Sequence, residues 1–526
     1  MIIHKEQVPY RFPDGRNGWK LITSYINKEG KVAFLQYPIP QDQMFEWKYA
    51  TRGNADPPFY EYDYQKNEYV LDEKGEKIQH QWMSYDNKPV TRVATDKQLS
   101  GSRITELLQS FKSAVDPVFE MNKPETWFCD IEVDVIPDQG FPEATEAPTP
   151  VNTISMTNYP RTIIWSRKPL SQQEIEWVQD QITQYSENNT TDNRFKECTK
   201  GYKFEFRSFN TEKEMLQDFV NFIVPVAHIT GWNFLAFDWL YLWNRFIKNQ
   251  IDTSILSPTR HTVNFKINPR AGGASINVTK PMHKIISDYL LIVKTWEQSL
   301  GNLPDYKLDT VGEKALTMKK VVHPWGFDVF YKDHFKEYVF YNCIDTILLE
   351  QINNEIKTMD VWLMLSSILR VDLDSAFSTI APAETVMQVF EYDRFKIFPN
   401  VKHVIPDEQS EYTGAWVVPV SPGLYRQVGG LDFASLYPSI MRQFLISPET
   451  FKYKKDPKTY KAASDEIMTC SGAVYERNEQ SMIPSILTYY YNLRKQTKVD
   501  KKTCEDECEM LEKEIKKRTS AAKAAL

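Results

Sequence analysis

Residues 431–450 of this sequence read LDFASLYPSIMRQFLISPET and combine an apolar start, one carboxylate and a turn. The residues before them, 428–431, predict a short strand that ends at Asp432. Pro438 then predicts the first turn of a helix, where its missing N–H costs nothing. A carboxylate for a hard metal, beside backbone N–H donors for phosphate oxygens, is typical of two-metal phosphoryl transfer. An ordinary Asx turn is the alternative interpretation of Asp432.

The SLYPS segment after this aspartate resembles polymerase motif A of the family B DNA polymerases, and residues 446–450 are similar to the T-even phage type. The resemblance implies that Asp432 binds both catalytic metals of a polymerase site. It also implies nucleotide binding by Ser435, Leu436 and Tyr437, with Tyr437 as the steric gate against a ribose 2′-OH.

Length and charge set the limits for the rest of the chain. A chain of 526 residues is long enough for about three or four domains, because single cores stop growing near ~250–300 residues. The formal net charge is −7, but carboxylate-built active sites add negative charge, and a basic groove can be local. An acidic total therefore does not exclude a nucleic-acid enzyme.

Cysteines and hydropathy indicate the compartment. The six cysteines are scattered and include no CxxC pair, which favours reduced thiols in a cytoplasmic protein and no zinc site. The N-terminus lacks a charged-then-apolar signal, and no window approaches ~18 consecutive apolar residues. We expect a soluble protein that is not exported, in the host cytoplasm if a phage encodes it.

Residues 1–112 predict a mixed domain of short strands and turns. Alternating runs such as 32–37 and turn signals such as 72–76 predict hairpins, and residues 103–115 predict a helix. Residues 85–92, YDNKPVTR, resemble the T-even N-terminal domain. An ordinary turn followed by a strand is the alternative interpretation.

A strand and a strand–helix junction carry the first acids of a second candidate site. Residues 127–135, WFCDIEVDV, alternate strictly and place Asp130 and Glu132 on one face. Residues 222–242 predict a buried strand, a Gly-Trp-Asn turn and a helix with Asp238 near its start. Alone, the first pair fits a solvated strand face and Asp238 fits compensation of the helix dipole.

A third segment, residues 337–349, predicts a helix with Tyr341 and Asp345 one turn apart. DIE on a strand, NFLAFD at a junction and YNCID on a helix together resemble the three motifs of DnaQ-like 3′–5′ proofreading exonucleases, in order and separation. The resemblance implies that Tyr341 orients the attacking water, and that Asn233 and Phe237 contact DNA. It also implies two divalent metals held by four carboxylates, Asp130, Glu132, Asp238 and Asp345.

Metal chemistry agrees with that resemblance. Phosphodiester hydrolysis needs a water of lowered pKa and positive charge on the leaving oxygen. Carboxylate oxygen is the ligand that Mg²⁺ and Mn²⁺ prefer. Residues 262–279 predict a long hairpin, which in the family helps to move the primer strand and which fits a plain surface hairpin equally well. Four nearby residues are expected to be structural: Cys129, His228, Asp309 and Cys343.

Residues 411–417, EYTGAWV, resemble a family motif that contacts template DNA between the nuclease and polymerase parts. This implies DNA contacts at Tyr412 and Gly414, although Ala415 replaces the second glycine of that motif. The chain turns helical after residue 481, with Arg494 and Lys498 one turn apart. Two such cations can hold a triphosphate, whereas a solvated basic face is the alternative interpretation.

The predicted fold is α/β and multidomain. It has a mixed α+β N-terminal domain (1–112), an RNase H-like (DnaQ-like) exonuclease domain (113–357), a return to the N-terminal domain with a linker (358–402), a partial palm with motif A (403–480) and the start of helical fingers (481–526). The family's later KxxxNSxYG and DTDS motifs do not occur in this sequence. The polymerase site would therefore need carboxylates from a C-terminal part.

These observations predict the N-terminal part of a replicative family B DNA polymerase with proofreading, from a split gene or a truncation. Expected cofactors are two Mg²⁺ or Mn²⁺ ions per active site. Expected partners are primer–template DNA, single-stranded 3′ ends, dNTP, a C-terminal polymerase chain and, through it, a sliding clamp. The alternative is a non-catalytic DNA-binding or scaffold subunit whose acids only stabilise the fold.

Overall fold

A computed structural model of the chain describes residues 1–50, 54–63, 68–110, 119–136, 140–267, 275–297, 300–399, 418–419, 421–433 and 435–525. The chain forms two compact units, one of Met1–Ile39 with Ser113–Pro382 and the other of Pro40–Lys112 with Ala383–Leu526. Both units mix helices and strands, which confirms the predicted α/β class. Within the described ranges, no helix is long and apolar enough to cross a membrane.

The first unit begins with an antiparallel three-stranded sheet of β1 (Ile2–Arg11), β2 (Asn17–Ile26) and β3 (Val32–Ile39). Met1, Ile3 and Ile26 are buried in the same hydrophobic cluster as Phe128 and Tyr289. Because this apolar surface is buried there, residues 1–39 group with the second half of the unit rather than with residues 40–112. The five predicted domain boundaries stay a prediction.

A mixed six-stranded sheet forms the centre of the first unit. In chain order its strands are β4 (Thr126–Val133), β5 (Val151–Asn158), β6 (Arg161–Ser166), β7 (Lys203–Ser208), β8 (His228–Gly231) and β11 (Ile285–Asp288). A separate hairpin of β9 (Thr262–Ile267) and β10 (Ile276–Pro281) lies between β8 and β11 in the sequence. The spatial order is β7-β6-β5-β4-β8-β11, with β5 antiparallel to both neighbours and β4, β8 and β11 parallel. The predicted hairpin strands are confirmed, while its Gly272-Gly273 turn lies outside the described residues.

Eight helices described in this unit surround the sheet: α1 (Gln172–Asn189), α2 (Glu212–Ile223), α3 (Asp238–Lys248), α4 (Tyr289–Trp296), α5 (Leu308–Leu316), α6 (Phe327–Asp333), α7 (Phe335–Ile356) and α8 (Thr358–Leu369). Short 3₁₀ turns occur at Ser254–Leu256 and Ser375–Phe377. Residues 338–349 of helix α7 are buried on all sides, and Asp345 is the one charged residue among them.

The strand predicted within residues 222–242 begins later than expected. Phe222 and Ile223 end helix α2, and the strand is limited to His228–Gly231. A capping box, in which Thr211 and Glu214 satisfy each other's backbone N–H groups, starts α2. The apolar stripe of that helix continues through Ile223, so the helical period prevails over the strand pattern here.

The part of the second unit that the structure describes contains small sheets and four helices, and residues 72–76 form the predicted turn. Its strands are Phe45–Tyr49, Phe59–Tyr60, Tyr62–Asp63, Glu68–Tyr69, Gln79–His80, Met83–Ser84, Val90–Ala94, Lys396–Ile397, Phe451–Lys454, Glu466–Met468 and Ala473–Glu476. Its helices are Gly101–Ser110, Ile380–Tyr392, Leu436–Gln443 and Met482–Ala525, with 3₁₀ turns at Gln41–Gln43 and Pro448–Thr450.

The strand predicted before Asp432 is wrong. Residues 428–433 have no regular structure, and Leu431 is fully exposed. No described strand lies alongside them to accept their backbone hydrogen bonds, so the apolar pattern alone does not form a strand. The helix predicted at Pro438 is confirmed and begins at Leu436.

The residues after that helix cap the last helix of the chain. Ser447 Oγ accepts a hydrogen bond from the N–H of Ile483 at 3.2 Å, and Glu449 Oε1 accepts one from the N–H of Met482 at 2.5 Å. Arg442 also donates to Thr488 Oγ1 at 3.1 Å. Residues 446–450 therefore fix the start of the helix Met482–Ala525.

A buried carboxyl group lies on the helix Gly101–Ser110. Glu106 Oε2 accepts a hydrogen bond from Trp47 Nε1 at 2.8 Å, and Oε1 lies 3.2 Å from an Arg103 guanidinium nitrogen. Burial outweighs these contacts and raises the pKa of Glu106 from 4.5 to about 7. The folded state therefore holds a proton at pH values where the unfolded chain has released it.

Glu106→Gln is expected to reduce the pH dependence of unfolding. Because the folded-state pKa is raised, the contribution of Glu106 is fully present below pH 4.5 and is lost as the pH rises through about 7. The wild type should lose up to about 3 kcal/mol relative to the variant across this window. Denaturant unfolding at pH 4, 5, 6, 7 and 8 measures this, with the exposed Glu73→Gln as control. Parallel curves for wild type and Glu106→Gln would contradict it.

Candidate active site

Three carboxylates meet between the central sheet and helix α7. Asp130 and Glu132 lie two residues apart on β4, as the strand alternation predicts, and Asp345 lies on α7, which packs on that strand. One ligand oxygen from each lies within 4.8 Å of the others. Two distant segments thus supply one compact group of acids.

Asp238 lies beside this group but is not part of it in the structure. It is the first residue of α3 and is 4% exposed. Its Oδ1 accepts a hydrogen bond from the N–H of Ile131, between the two acids of β4, at 3.1 Å. Burial and then the charge of Asp130 raise its pKa. The sequence predicts a fourth ligand here, and the structure places it within electrostatic reach of the other three.

Burial and mutual repulsion make these acids hard to ionise in the absence of a cation. Burial, followed by the charge of Asp345, raises the pKa of Asp130 from 3.8 to about 7. The pKa of Glu132 is raised well above its ordinary value by burial and by Asp130. A bound cation would remove both penalties, because it offsets the desolvation and the repulsion together.

Lys320, which no sequence pattern marks, neutralises part of this charge. Lys320 Nζ lies 2.5 Å from Asp345 Oδ2 and 4.8 Å from the centre of the Tyr341 ring. Asp309 Oδ1 accepts a hydrogen bond from the N–H of Lys320 at 2.7 Å. Burial lowers the pKa of Lys320, but the carboxylates outweigh burial and raise it. Asp309 thus holds the backbone of the stretch that carries Lys320, in agreement with the structural role expected for it.

Asn342 is a second residue that the sequence reasoning missed. It is fully buried on α7, donates from Nδ2 to Asp130 Oδ2 at 2.7 Å and accepts from Thr153 Oγ1 at 3.0 Å. Thr346, one turn further, exchanges hydrogen bonds with Ser155 at 2.9 Å. This ladder of polar contacts sets α7 against the sheet. The signal was the position of Asn342 three residues before Asp345, which puts both on one helix face.

Aromatic side chains line the approach to the carboxylates. Phe141 is 55% exposed, and its ring centre lies 5.3 Å from Phe327 and 6.5 Å from Phe237. Phe327 in turn lies 6.2 Å from Tyr341. Exposed rings beside the acidic group offer stacking surface to a nucleobase. Phe141 was also missed by the sequence analysis, since no acid or glycine marks its position.

The donor set fits a hard divalent cation. The three gathered ligands are carboxylates, the oxygen donors that Mg²⁺ and Mn²⁺ prefer. Asp345 Oδ1 is buried and has no hydrogen-bond partner within the described residues. An unpaired buried oxygen is costly unless something binds it, so the orphaned atom independently points to a cation.

Two family models match this chain. "DNA polymerase family B, exonuclease domain" matches residues 60–311, and "DNA polymerase family B" matches residues 382–523. The chain belongs to the family B DNA polymerases. The family that the motifs of the sequence resemble is therefore confirmed.

Curated relatives of this family B chain include several phage and cellular polymerases. The DNA-directed DNA polymerase of Escherichia phage RB69 is 28% identical over 390 residues, which cover 70% of this chain and 41% of that protein. The enzyme of Enterobacteria phage T4 is 26% identical over 311 residues, 56% of this chain and 33% of that protein. The DNA polymerase delta catalytic subunit of Glycine max is 25% identical over 332 residues, 60% and 30% respectively. The chain thus matches less than half the length of these polymerases.

The polymerase motifs of this family B chain are less organised than its acid cluster. Asp432 lies in an exposed stretch. Ser435 adopts a left-handed backbone with φ of 54°, Leu436 begins the helix, and Tyr437 is 71% exposed. Across the described ranges, Asp130, Glu132 and Asp345 form the one group of three or more such side chains close enough to share a metal, and Asp432 is not among them.

The remaining predicted site residues have different settings. Arg494 and Lys498 lie one turn apart on the exposed face of Met482–Ala525. Asn233 is exposed with φ of 58°, just before α3. Tyr412 and Gly414 lie outside the described residues. The roles of all of these in binding nucleotide or DNA stay predictions.

The residues expected to be structural behave as expected. His228 is fully buried, and its ring nitrogens are satisfied by Thr126 Oγ1 at 2.9 Å and Ser287 Oγ at 2.7 Å. Burial lowers its pKa to about 3. Cys129 and Cys343 are buried free thiols whose pKa values are raised by burial. None of the three contributes to the acidic group.

Proposed function

We propose that the first unit hydrolyses DNA from its 3′ end and serves as the proofreading nuclease of a DNA polymerase. The observation that carries this proposal is the buried meeting of Asp130, Glu132 and Asp345 with an orphaned Asp345 oxygen. Buried like charges are costly, and a purely structural cluster would pair each of them. The mixed sheet with β5 reversed supports an RNase H-like fold for this unit.

The proposed reaction is attack of water on the terminal phosphodiester. Two bound Mg²⁺ or Mn²⁺ ions would lower the pKa of the water and offset charge on the leaving oxygen. Asp130 and Glu132 hold ligand oxygens from a rigid strand, and Asp238 and Asp345 complete the set. Tyr341 orients the attacking water through its hydroxyl.

The other side chains of the site position the substrate and balance charge. Phe141 and Phe237 present ring surface to the terminal base, and Asn233 contacts the strand beside it. Lys320 keeps Asp345 ionised and places positive charge near the scissile phosphate. Together these groups favour a single-stranded end, because a paired base could not reach the rings without unstacking.

For the second unit we propose a part in templated DNA synthesis. The family B match over residues 382–523 supports this proposal. In it, Asp432 supplies one metal ligand, Ser435, Leu436 and Tyr437 contact the incoming dNTP, and Arg494 and Lys498 contact its phosphates. Tyr412 and Gly414 contact template DNA. A second polymerase carboxylate and a sliding clamp would come through a C-terminal part.

Release of nucleotides from a 3′-labelled single strand tests the nuclease. We expect purified chain with Mg²⁺ to release mononucleotides, and the Asp130→Ala/Glu132→Ala variant to release none. The same preparation should add no dNTP to a primer–template. Equal release by the wild type and the double variant would contradict the assignment of these acids. No release by either would favour the alternative, a DNA-binding or scaffold subunit.

A further inference from the structure

A strongly basic short segment of this acidic chain belongs to neither reaction centre. Residues 451–461, FKYKKDPKTYK, hold five lysines and one aspartate, in a chain of net charge −7. The segment, here called the lysine segment, begins with the strand Phe451–Lys454 of a three-stranded sheet. Such a run of charges is, by itself, typical of a solvent-exposed face without a ligand.

Hydrogen bonds to Glu466 and to the backbone of Gly472 hold the lysine segment in place. Glu466, which is 5% exposed, accepts hydrogen bonds from the hydroxyls of Tyr453 at 2.5 Å and Tyr460 at 2.6 Å. The N–H of Lys455 donates to the carbonyl of Gly472 at 2.8 Å. Gly472 has φ of 83°, and a Cβ there would lie 2.0 Å from the carbonyl oxygen of Lys455. Only glycine fits this close approach, so the fold presents the segment in one shape.

Asp465 and Glu466, beside the lysine segment, pair with a single lysine, while Asp456 within it accepts a hydrogen bond from the backbone N–H of Lys458 at 2.9 Å. Lys452 Nζ lies 3.2 Å from Asp465 and 3.3 Å from Glu466. The other four lysines make no ion pair within the described part of the chain and are exposed: Lys454, Lys455, Lys458 and Lys461. Lys455 Nζ lies 5.1 Å from the ring centre of Tyr453, which limits its freedom. Four charges remain available on an ordered surface.

We propose that the lysine segment binds the phosphate backbone of DNA. The inference goes beyond the two reaction centres and rests on the proposed function in taking DNA as the polyanion. Ammonium groups bind phosphate as point charges, and each phosphate contact releases condensed counterions. The 50% exposed Phe451 adds a ring beside the charges, a pairing typical of nucleic-acid surfaces. The backbone could belong to a duplex or to a single strand.

Fluorescence anisotropy with the full chain in EDTA tests the assignment. The probes are a labelled 30-base-pair duplex and a labelled 30-nucleotide single strand, each titrated between 50 and 300 mM NaCl. The variant replaces the four available lysines with glutamine (Lys454→Gln, Lys455→Gln, Lys458→Gln and Lys461→Gln). The matched control makes the same change of net charge at exposed lysines elsewhere: Lys31→Gln, Lys74→Gln, Lys97→Gln and Lys213→Gln.

We expect the variant to bind DNA at least ~10-fold more weakly than the control at 100 mM NaCl. The slope of log Kd against log salt should fall by about 3.6 on the duplex, since each of the four lost phosphate contacts removes about 0.9. If the variant loses affinity for the duplex alone, the lysine segment binds double-stranded DNA, and if it loses affinity for the single strand alone, the segment binds single-stranded DNA. Loss of affinity for both probes indicates binding to the phosphate backbone that they share. Equal affinity and slope for variant and control would overturn the assignment and leave a solvated face.

Two further readouts separate this inference from the nuclease. The melting temperature of the variant should equal that of the control, because the four side chains are exposed. Release of nucleotides from a labelled tetranucleotide should be unchanged, since none of the four lysines belongs to the acidic group. If wild type released nothing but the difference in DNA binding remained, the proposed nuclease would fail while the lysine segment would stand.

Discussion

Asp130→Asn should lower the turnover of the nuclease at least ~1,000-fold, about 4 kcal/mol of barrier, while raising the melting temperature in metal-free buffer by about 2–4 °C. Activity falls because an amide replaces an anionic ligand in the group of three acids. Stability rises because the variant removes one of several buried like charges, while an amide oxygen can still accept the hydrogen bond from Asn342. Opposite signs for activity and stability mark a site built for a cation.

The stability gain of Asp130→Asn has a defined pH window. The folded-state pKa of Asp130 is raised from 3.8 to about 7, so its contribution to stability is lost as the pH rises between these values. The advantage of the variant should therefore grow from about pH 4 to 7 and then level. Calorimetric melting in EDTA at several pH values measures it. Asp134→Asn, four residues further along the chain and outside the group of three acids, is the matched control. A variant that keeps a tenth of wild-type turnover would contradict the ligand role.

The second large effect is expected for Lys320→Met, which should lower the free energy of unfolding in EDTA by about 3 kcal/mol. Asp345 is 1% exposed, so loss of the lysine leaves a buried carboxylate without its cationic partner. Nucleotide release should also slow about 100-fold, because general electrostatic support at the phosphate is lost. Denaturant unfolding and the 3′-label assay measure the two effects.

Two companion variants show whether the loss of stability in Lys320→Met comes from the unpaired charge of Asp345 or from lost packing. Lys319→Met changes the adjacent lysine, which is 55% exposed and pairs with Glu313, and should alter stability by less than about 0.5 kcal/mol. Adding Asp345→Asn to Lys320→Met should restore stability but not activity, because the unpaired charge is gone together with a ligand. Failure of that double variant to recover would show that Lys320 stabilises through packing rather than through Asp345.

The site residues that could be predicted from the sequence are those placed by the regular repeat of a single strand or helix. Strict alternation on β4 placed Asp130 and Glu132 on one face, and helical spacing placed Tyr341 and Asp345 one turn apart. Both patterns need only the geometry of a single element. The fold class and the family followed from motifs on such elements.

What could not be predicted depends on contacts between distant segments. Lys320 enters from the irregular stretch after α5, and the hydrogen bond to Asp309 that orients it has no periodic signature. The strand predicted before Asp432 failed for the related reason that a strand needs a neighbour, which its own residues cannot reveal. Phe222 and Ile223 form the end of helix α2 rather than the predicted strand. The capping box that starts this helix lies eleven residues before Phe222, so the residues of the predicted strand do not reveal it.

The capping of the helix Met482–Ala525 has a mechanical consequence. At 44 residues the helix is about 66 Å long, and its first turn is bound to Ser447 and Glu449. These anchors lie a few residues after the helix that begins at Leu436. A tilt of about 10° at the anchor would swing the far end through roughly 11 Å over that length. A small change of angle beside residues 435–439 would therefore correspond to a large displacement at the far end of this helix.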